Sequence, residues 1–298
     1  MRTSTRPGTT AERAGQRSDE GMTFRSLGPF LGLTFGLTWG IVVLLLLFGE
    51  QIEALLGAFD TTNPLYILAV YAPAFAAFIL VLRYYGVRGL LSYLRRLTLW
   101  RMSAAWWAFL LLGIPAVVYL GAALSGTLDD PLPFATAPAL VAAVVLALLL
   151  GPVEEFGWRG LALPLLQRRF APIGAGVILG VIWGVWHLPA FLFSDTPHGA
   201  WALAPFFGGT IAASVILTAV FNATRGSLLI AALFHFQLMN PVFPDAQPWA
   251  NLTLALAAVL VVAFNRTKMF SRDHAVTDVL MPPDEPDARR TVEAPRVS

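Results

Sequence analysis

The sequence predicts an all-α integral membrane protein, a bundle of about eight transmembrane helices with both termini in the cytoplasm. Three observations carry this. Of 298 residues, 57% are hydrophobic and only 13% charged, against about 25% charged in soluble domains, and the mean hydropathy is +0.68. Apolar runs recur at the length of about 20 residues that crosses a bilayer as helix. The basic residues fall in alternate loops between these runs, as the positive-inside rule requires.

Taken in order, residues 1–26 are polar, rich in Thr, Ser and Arg, with no apolar period, and are expected to form a disordered cytoplasmic tail. They contain no signal-peptide h-region, so the first apolar segment is expected to stay as an anchor. Eight apolar segments follow, at about 27–49, 64–82, 102–128, 137–160, 172–193, 202–221, 227–243 and 247–264. The seventh is short and ends at Pro241 and Pro244, and the fourth could run on to Leu166. Together they define a membrane domain over 27–265, with a polar cytoplasmic tail over 266–298.

Loop charges orient the bundle. Arg83, Arg88, Arg95, Arg96 and Arg101 are assigned to the loop after the second segment. Arg168 and Arg169 follow the fourth, Arg225 the sixth, and Arg266, Lys268 and Arg272 the eighth. Glu50, Glu53, Asp60, Asp129, Asp130, Asp195 and Asp245 occupy the opposite loops, which carry no Lys or Arg. A pI of 9.2 is thus explained by membrane topology, and no nucleic-acid partner is expected. With no cysteine, disulfides, thiolate metal sites and a cysteine nucleophile are excluded. The near-exclusive use of Arg over Lys and the abundance of Ala suggest a bacterial source, and with it the plasma membrane.

Two glycine ladders stand out: Gly28, Gly32, Gly36 and Gly40 in the first segment, and Gly176, Gly180 and Gly184 in the fifth. Spacing of four puts small residues on one face and lets backbones approach. For the first segment helix packing is the expected use. In the fifth, the ladder leads to His187 and could fix that side chain in place.

Chemistry is confined to a few residues. The assigned segments contain five ionisable side chains, Glu154, Glu155, Arg159, His187 and His235, on segments four, five and seven. Each such group at mid-bilayer costs about 2.5–3.5 kcal/mol on insertion scales, which makes it a functional candidate. Glu155 and Arg159 are four apart and can pair on one helical face. Glu154 points about 100° away from Glu155 and has no partner on its own helix. A structural ion network accounts for Glu155 with Arg159 and leaves Glu154 unexplained. A buried, unpaired carboxylate suits a general base.

In order, Glu154-Glu155-x-x-x-Arg159, then Trp183-x-x-x-His187, then Thr224-x-x-Ser227-Leu228-x-x-Ala231-x-x-x-His235 resemble the three motifs of the CPBP intramembrane protease family, the CAAX proteases and bacteriocin-processing enzymes. The resemblance covers about residues 137–245. It implies an eight-helix membrane bundle in which Glu154 and His187 activate a water for peptide hydrolysis. Glu155 and Arg159 would support the helix, and His235 with an asparagine would stabilise the oxyanion, a donor whose loss costs about 2.7–4 kcal/mol of barrier. There are two departures. Trp183 stands where the family usually has Phe, another large aromatic. Met239 stands where the family has Asn or Asp; Asn240 is one residue further on, about 140° from His235 on an ideal helix, and Gln237 is a second candidate donor.

Glu154, His187 and His235 could also hold a zinc with an open position, but no His-Glu-x-x-His helix is present, and the resemblance favours a metal-independent, glutamate-dependent site with no cofactor. The expected partners are a peptide or membrane-protein substrate and the lipid bilayer. The alternatives are a non-catalytic family member that binds a peptide or membrane partner in an immunity or scaffold role, and, ranked last, a proton-coupled transporter.

Overall fold

The computed structural model describes residues 21–194 and 196–281. The expected N-terminal tail and the last residues of the C-terminal tail lie outside them. All regular structure among the described residues is helical. This suits a bilayer, where a helix satisfies its own backbone polar groups and no water can.

The helices are α1 Leu27–Leu56, α2 Pro64–Val70, α3 Ala72–Leu94, α4 Ala104–Ala108, α5 Ile114–Ser125, α6 Ala137–Leu149, α7 Glu154–Gly157, α8 Leu163–Gln167, α9 Pro172–His187, α10 Leu203–Ala223, α11 Leu228–Leu238, α12 Trp249–Phe264 and α13 Arg266–Phe270. Local sequence sets several ends. Asn63, Thr136 and Ser227 cap α2, α6 and α11 by accepting from Leu65, Ala139 and Ile230 N–H groups. Left-handed Gly126 closes α5.

By length and composition, six helical stretches among the described residues are long and apolar enough to cross a membrane: Phe24–Leu56, Ala72–Thr98, Ala104–Ser125, Ala137–Gln167, Pro172–Leu192 and Leu203–Ala223. The seventh and eighth expected segments are the shorter apolar helices Leu228–Leu238 and Trp249–Phe264. Eleven residues of helix rise only about 16 Å, roughly half the hydrocarbon thickness.

Two boundaries differ from the sequence reading. The first helix runs on past Glu50 and Glu53 to Leu56. The second continues through Arg83 and Arg88 and ends in a 3-10 turn, Arg95–Thr98, so those arginines belong to the helix rather than to a loop. Arg96 is fully buried. Its guanidinium donates to the carbonyls of Gly226 (2.9 Å), Gly160 (3.1 Å) and Val279 (2.9 Å) and lies against the Phe221 ring.

The fourth stretch does continue to Gln167, but not as one regular helix. Pro152 lacks an N–H, and α6 gives way to a 3-10 turn at Gly151–Val153. After α7 comes a π-turn, Trp158–Ala162, and then α8. Tyr71 donates to the Leu149 carbonyl at the break (3.0 Å). Single π-turns inside helices concentrate at functional sites.

The core is built around this broken helix. Trp158, Leu161, Leu163 and Leu165 are fully buried, and α3 supports the stretch through Tyr93, which donates to the Phe156 carbonyl. At Gly157 a Cβ would come within 2.5 Å of the Pro73 carbonyl oxygen. Beyond α13 the chain folds back along the bundle. Met269 and Val279 are buried, and Gln167, Arg168 and Asn222 hydrogen-bond the backbone of residues 276–277.

The two glycine ladders behave differently. In α9, a Cβ at Gly180 would meet the Ile211 Cα at 2.7 Å, and one at Gly184 the Phe207 ring at 2.8 Å, so α9 and α10 pack backbone to backbone. At Gly28, Gly32, Gly36 and Gly40 nothing lies within 4 Å. The first ladder therefore makes no packing contact among the described residues, contrary to expectation.

Candidate active site

The break at Gly151–Val153 delivers both glutamates to the interior. Glu154 and Glu155 open α7 side by side, both buried, and helical rotation sends them to different partners. The Glu155 Oε1 accepts from Arg159 Nη1 at 3.1 Å, completing the expected ion pair. The same oxygen meets His235 Nδ1 at 2.6 Å. Residues from the first and third motifs thus form one buried chain, Arg159–Glu155–His235.

Glu154 finds its partner on another helix. Its Oε2 accepts the Trp183 indole N–H at 2.8 Å. Trp183, from α9, also meets His187, His235 and Arg159. Its ring centroid is 5.6 Å from that of His187 and 5.3 Å from that of His235, and the Arg159 guanidinium carbon lies 4.6 Å from it in cation–π geometry. The carbonyl oxygen of Trp183 is 2.9 Å from His187 Nδ1. A carbonyl only accepts, so Nδ1 carries the proton and Nε2 of a neutral ring presents its lone pair. His187 is the last residue of α9 before a 3-10 turn, Leu188–Leu192.

Glu154, Trp183, His187, His235 and Asn240 all line one cavity of about 410 Å³. Most of the rest of its wall is apolar, including Val42, Val117, Phe193, Phe206 and Leu254. Glu155 and Arg159 lie behind the wall, in contact with His235 and Trp183 respectively.

The third motif departs from ideal helix geometry. α11 ends at Leu238, and Met239 is no longer helical, so the angle between Asn240 and His235 expected on a continuous helix does not apply. Asn240 Nδ2 donates to Gln237 Oε1 (3.1 Å), and its Oδ1 accepts from the Val242 N–H (3.1 Å). Met239 also lines the cavity, and a Cβ at Gly151 would strike its sulfur and come within 2.8 Å of His235 Nε2.

Among the described residues, no group of three His, Asp or Glu side chains is placed to hold a metal ion. Glu154, His187 and His235 are not grouped as a metal-ligand set among the described residues.

Sequence reasoning missed His198, which lies outside the apolar segments, in the turn Pro197–Ala200. Its ring lies tilted against that of His187, centroids 5.1 Å apart, and packs against Trp201 and Phe206. Burial pushes its pKa down to about 4. The one signal was scarcity, since the chain has four histidines.

Residues 135–240 match the family described as "Type II CAAX prenyl endopeptidase Rce1-like". Over this segment, about a third of the chain, the protein is similar to the CAAX protease family. A relative described as "CAAX prenyl protease 2", from Methanococcus maripaludis, is 26% identical over 143 residues, 44% of this chain and 53% of the relative. The chain therefore spans about half the length of that relative. The matched segment of the family profile holds the broken helix, α9 and α11, the elements that line the cavity with Glu154, Trp183, His187 and His235. The likeness to a membrane-protease family and the six long apolar helices both support an integral membrane protein.

Proposed function

We propose that the protein is an intramembrane endopeptidase that hydrolyses a peptide bond near the cytoplasmic leaflet with a water activated by Glu154 and His187. One observation carries this reading: Glu154, His187 and His235, from three separate helices, line a single cavity. The Glu154 carboxylate takes a proton from water as the oxygen attacks the peptide carbonyl carbon, and His187 Nε2 accepts a second hydrogen bond from that water. The proton then passes to the leaving amine as the C–N bond breaks. Hydrogen-bond donors facing the carbonyl oxygen stabilise the charge that develops there. Because Nδ1 of His235 is committed to Glu155, Nε2 can donate to that oxygen only when the ring carries both protons. The free amide hydrogen of Asn240 is the second donor.

The proposed arrangement keeps eight segments with both termini cytoplasmic, supported by the alternation of basic and acidic loops, and the arginine-rich composition favours a bacterial plasma membrane. The relative's name points to prenylated peptides. The apolar cavity wall suits a lipid-modified or strongly apolar chain, including a signalling peptide or a membrane-protein segment. The test uses the full chain in liposomes with quenched fluorescent peptides: one ending in a farnesylated CAAX sequence, and an unprenylated library. Cleavage abolished by Glu154→Ala is the expected result. No cleavage of any peptide, or cleavage unaffected by the substitution, overturns the reading.

The second reading is a binding protein without catalysis. Met239 in the position of the family's Asn, and an Asn240 already bonded to Gln237 and Val242, favour it. Capture of a membrane partner that is indifferent to Glu154→Gln, without turnover, would select this reading over the protease.

A further inference from the structure

We infer that Trp183 is a positioning residue for the water-activating pair, and that its indole N–H holds the Glu154 carboxylate in the orientation from which it works. This rests on the protease reading above and adds a specific hydrogen bond to it. A phenylalanine, the family's usual residue here, fills the same space but has no donor. Size alone therefore does not describe the exchange.

The geometry assigns Trp183 two jobs at once. Its side chain donates to Glu154 Oε2 at 2.8 Å. Its main-chain carbonyl accepts from His187 Nδ1 at 2.9 Å, which turns Nε2 of that ring into the acceptor. One residue thus sets the direction of both members of the pair, and only the first job depends on the indole nitrogen. A donor on the carboxylate leaves its other oxygen to meet the water, and fixes a side chain that otherwise has three rotatable bonds.

Trp183 is itself held firmly. It is 4% exposed, wedged between the His187 and His235 rings, with Arg159 over its face. The helix beneath it is locked on α10 through Gly180 and Gly184. It is also tied to α1, where Trp186 Nε1 donates to Thr38 Oγ1 at 2.9 Å. A rigid donor of this kind gives direction as well as attraction.

The first test needs no substrate. With ¹⁵N-indole labelling in detergent micelles, the signal lost in Trp183→Phe identifies Trp183 among the nine tryptophans. That signal is expected to move more than any other in Glu154→Gln; a Trp183 signal that stays in place overturns the inference. The second test is kinetic, on whichever quenched peptide the wild type cleaves. Loss of a hydrogen bond to a charged group corresponds to about a 10- to 100-fold fall in kcat, expected at near-constant KM. To separate this from altered packing, Trp183 is replaced by benzothienylalanine, which keeps the shape and lacks the N–H. The same fall in kcat supports the inference, and wild-type kcat in that variant overturns it. Should Glu154→Gln cleave as the wild type does, the protease reading fails, while the indole signal still decides whether the hydrogen bond exists.

Discussion

At the scale of single residues, the site separates two adjacent glutamates by what each one meets. Glu155 serves two positive or proton-donating partners, Arg159 and His235, inside the bundle. Removing it leaves both buried without their acceptor. Glu155→Ala is expected to destabilise the protein by about 3–5 kcal/mol, read as a lowered thermal midpoint in detergent, with Glu155→Gln milder. A variant as stable as wild type would show that the chain Arg159–Glu155–His235 is not structural.

His198 gives a pH prediction. It is neutral when packed, with its pKa lowered to about 4, against about 6.5 for a histidine in water. A depressed histidine favours the packed state fully above about pH 6.5, and the benefit is lost as pH falls from there toward 4. The turn that carries it is expected to loosen over that window, and His198→Phe to flatten the pH dependence of the thermal midpoint. Equal pH dependence in the two proteins would contradict this.

These residues also show what a sequence can reveal. The glutamates, Arg159 and two histidines were legible because an ionisable group in an apolar run is costly. In sequence, Trp183 in place of Phe is one large aromatic for another, and the indole donor matters only once Glu154 is known to face it. His198 was invisible to a search confined to apolar segments.

At the scale of elements, the broken fourth helix and the packed fifth do the positioning. Periodicity showed that both exist, and Pro152 marked a discontinuity, but the sequence of 3-10, α and π-turns follows from packing on α3 and was not readable. The glycine ladders make the same point: identical spacing, opposite use. Gly180→Ala places a Cβ against the Ile211 backbone and is expected to cost about 1–3 kcal/mol, with a loss of activity as Trp183 and His187 shift. Gly32→Ala, with nothing within 4 Å, is expected to leave thermal stability unchanged or slightly raised. Equal behaviour of the two variants would sink the assignment of the α9 face as the packed one.

At the scale of the whole molecule, Arg96 and the returning chain join distant parts. Arg96 ties the glutamate stretch at Gly160, the entry to α11 at Gly226 and the C-terminal segment at Val279. The sequence pattern places it in a loop, because its neighbours are basic and alternate with acidic loops; tertiary burial overrides that pattern. Ending the chain at Phe270 removes Val279 and one of the three acceptors, and is expected to lower the thermal midpoint by several degrees. No change on truncation would show that residues 271–281 are dispensable. The class of fold was readable from composition and run length, and the convergence of three motifs on one cavity was not, since nothing in spacing fixes how separate helices meet.

The central claim is that Glu154, His187 and His235 act as one hydrolytic unit. The direct measurement is the cleavage rate of a quenched peptide by the full chain in liposomes, for Glu154→Ala, His187→Ala, His235→Ala and the double variant Glu154→Ala/His187→Ala. Residues that act together are not additive. Each single substitution is expected to remove nearly all activity, with the double variant no worse than Glu154→Ala alone. Losses that multiply independently, or substantial cleavage by Glu154→Ala, would contradict it.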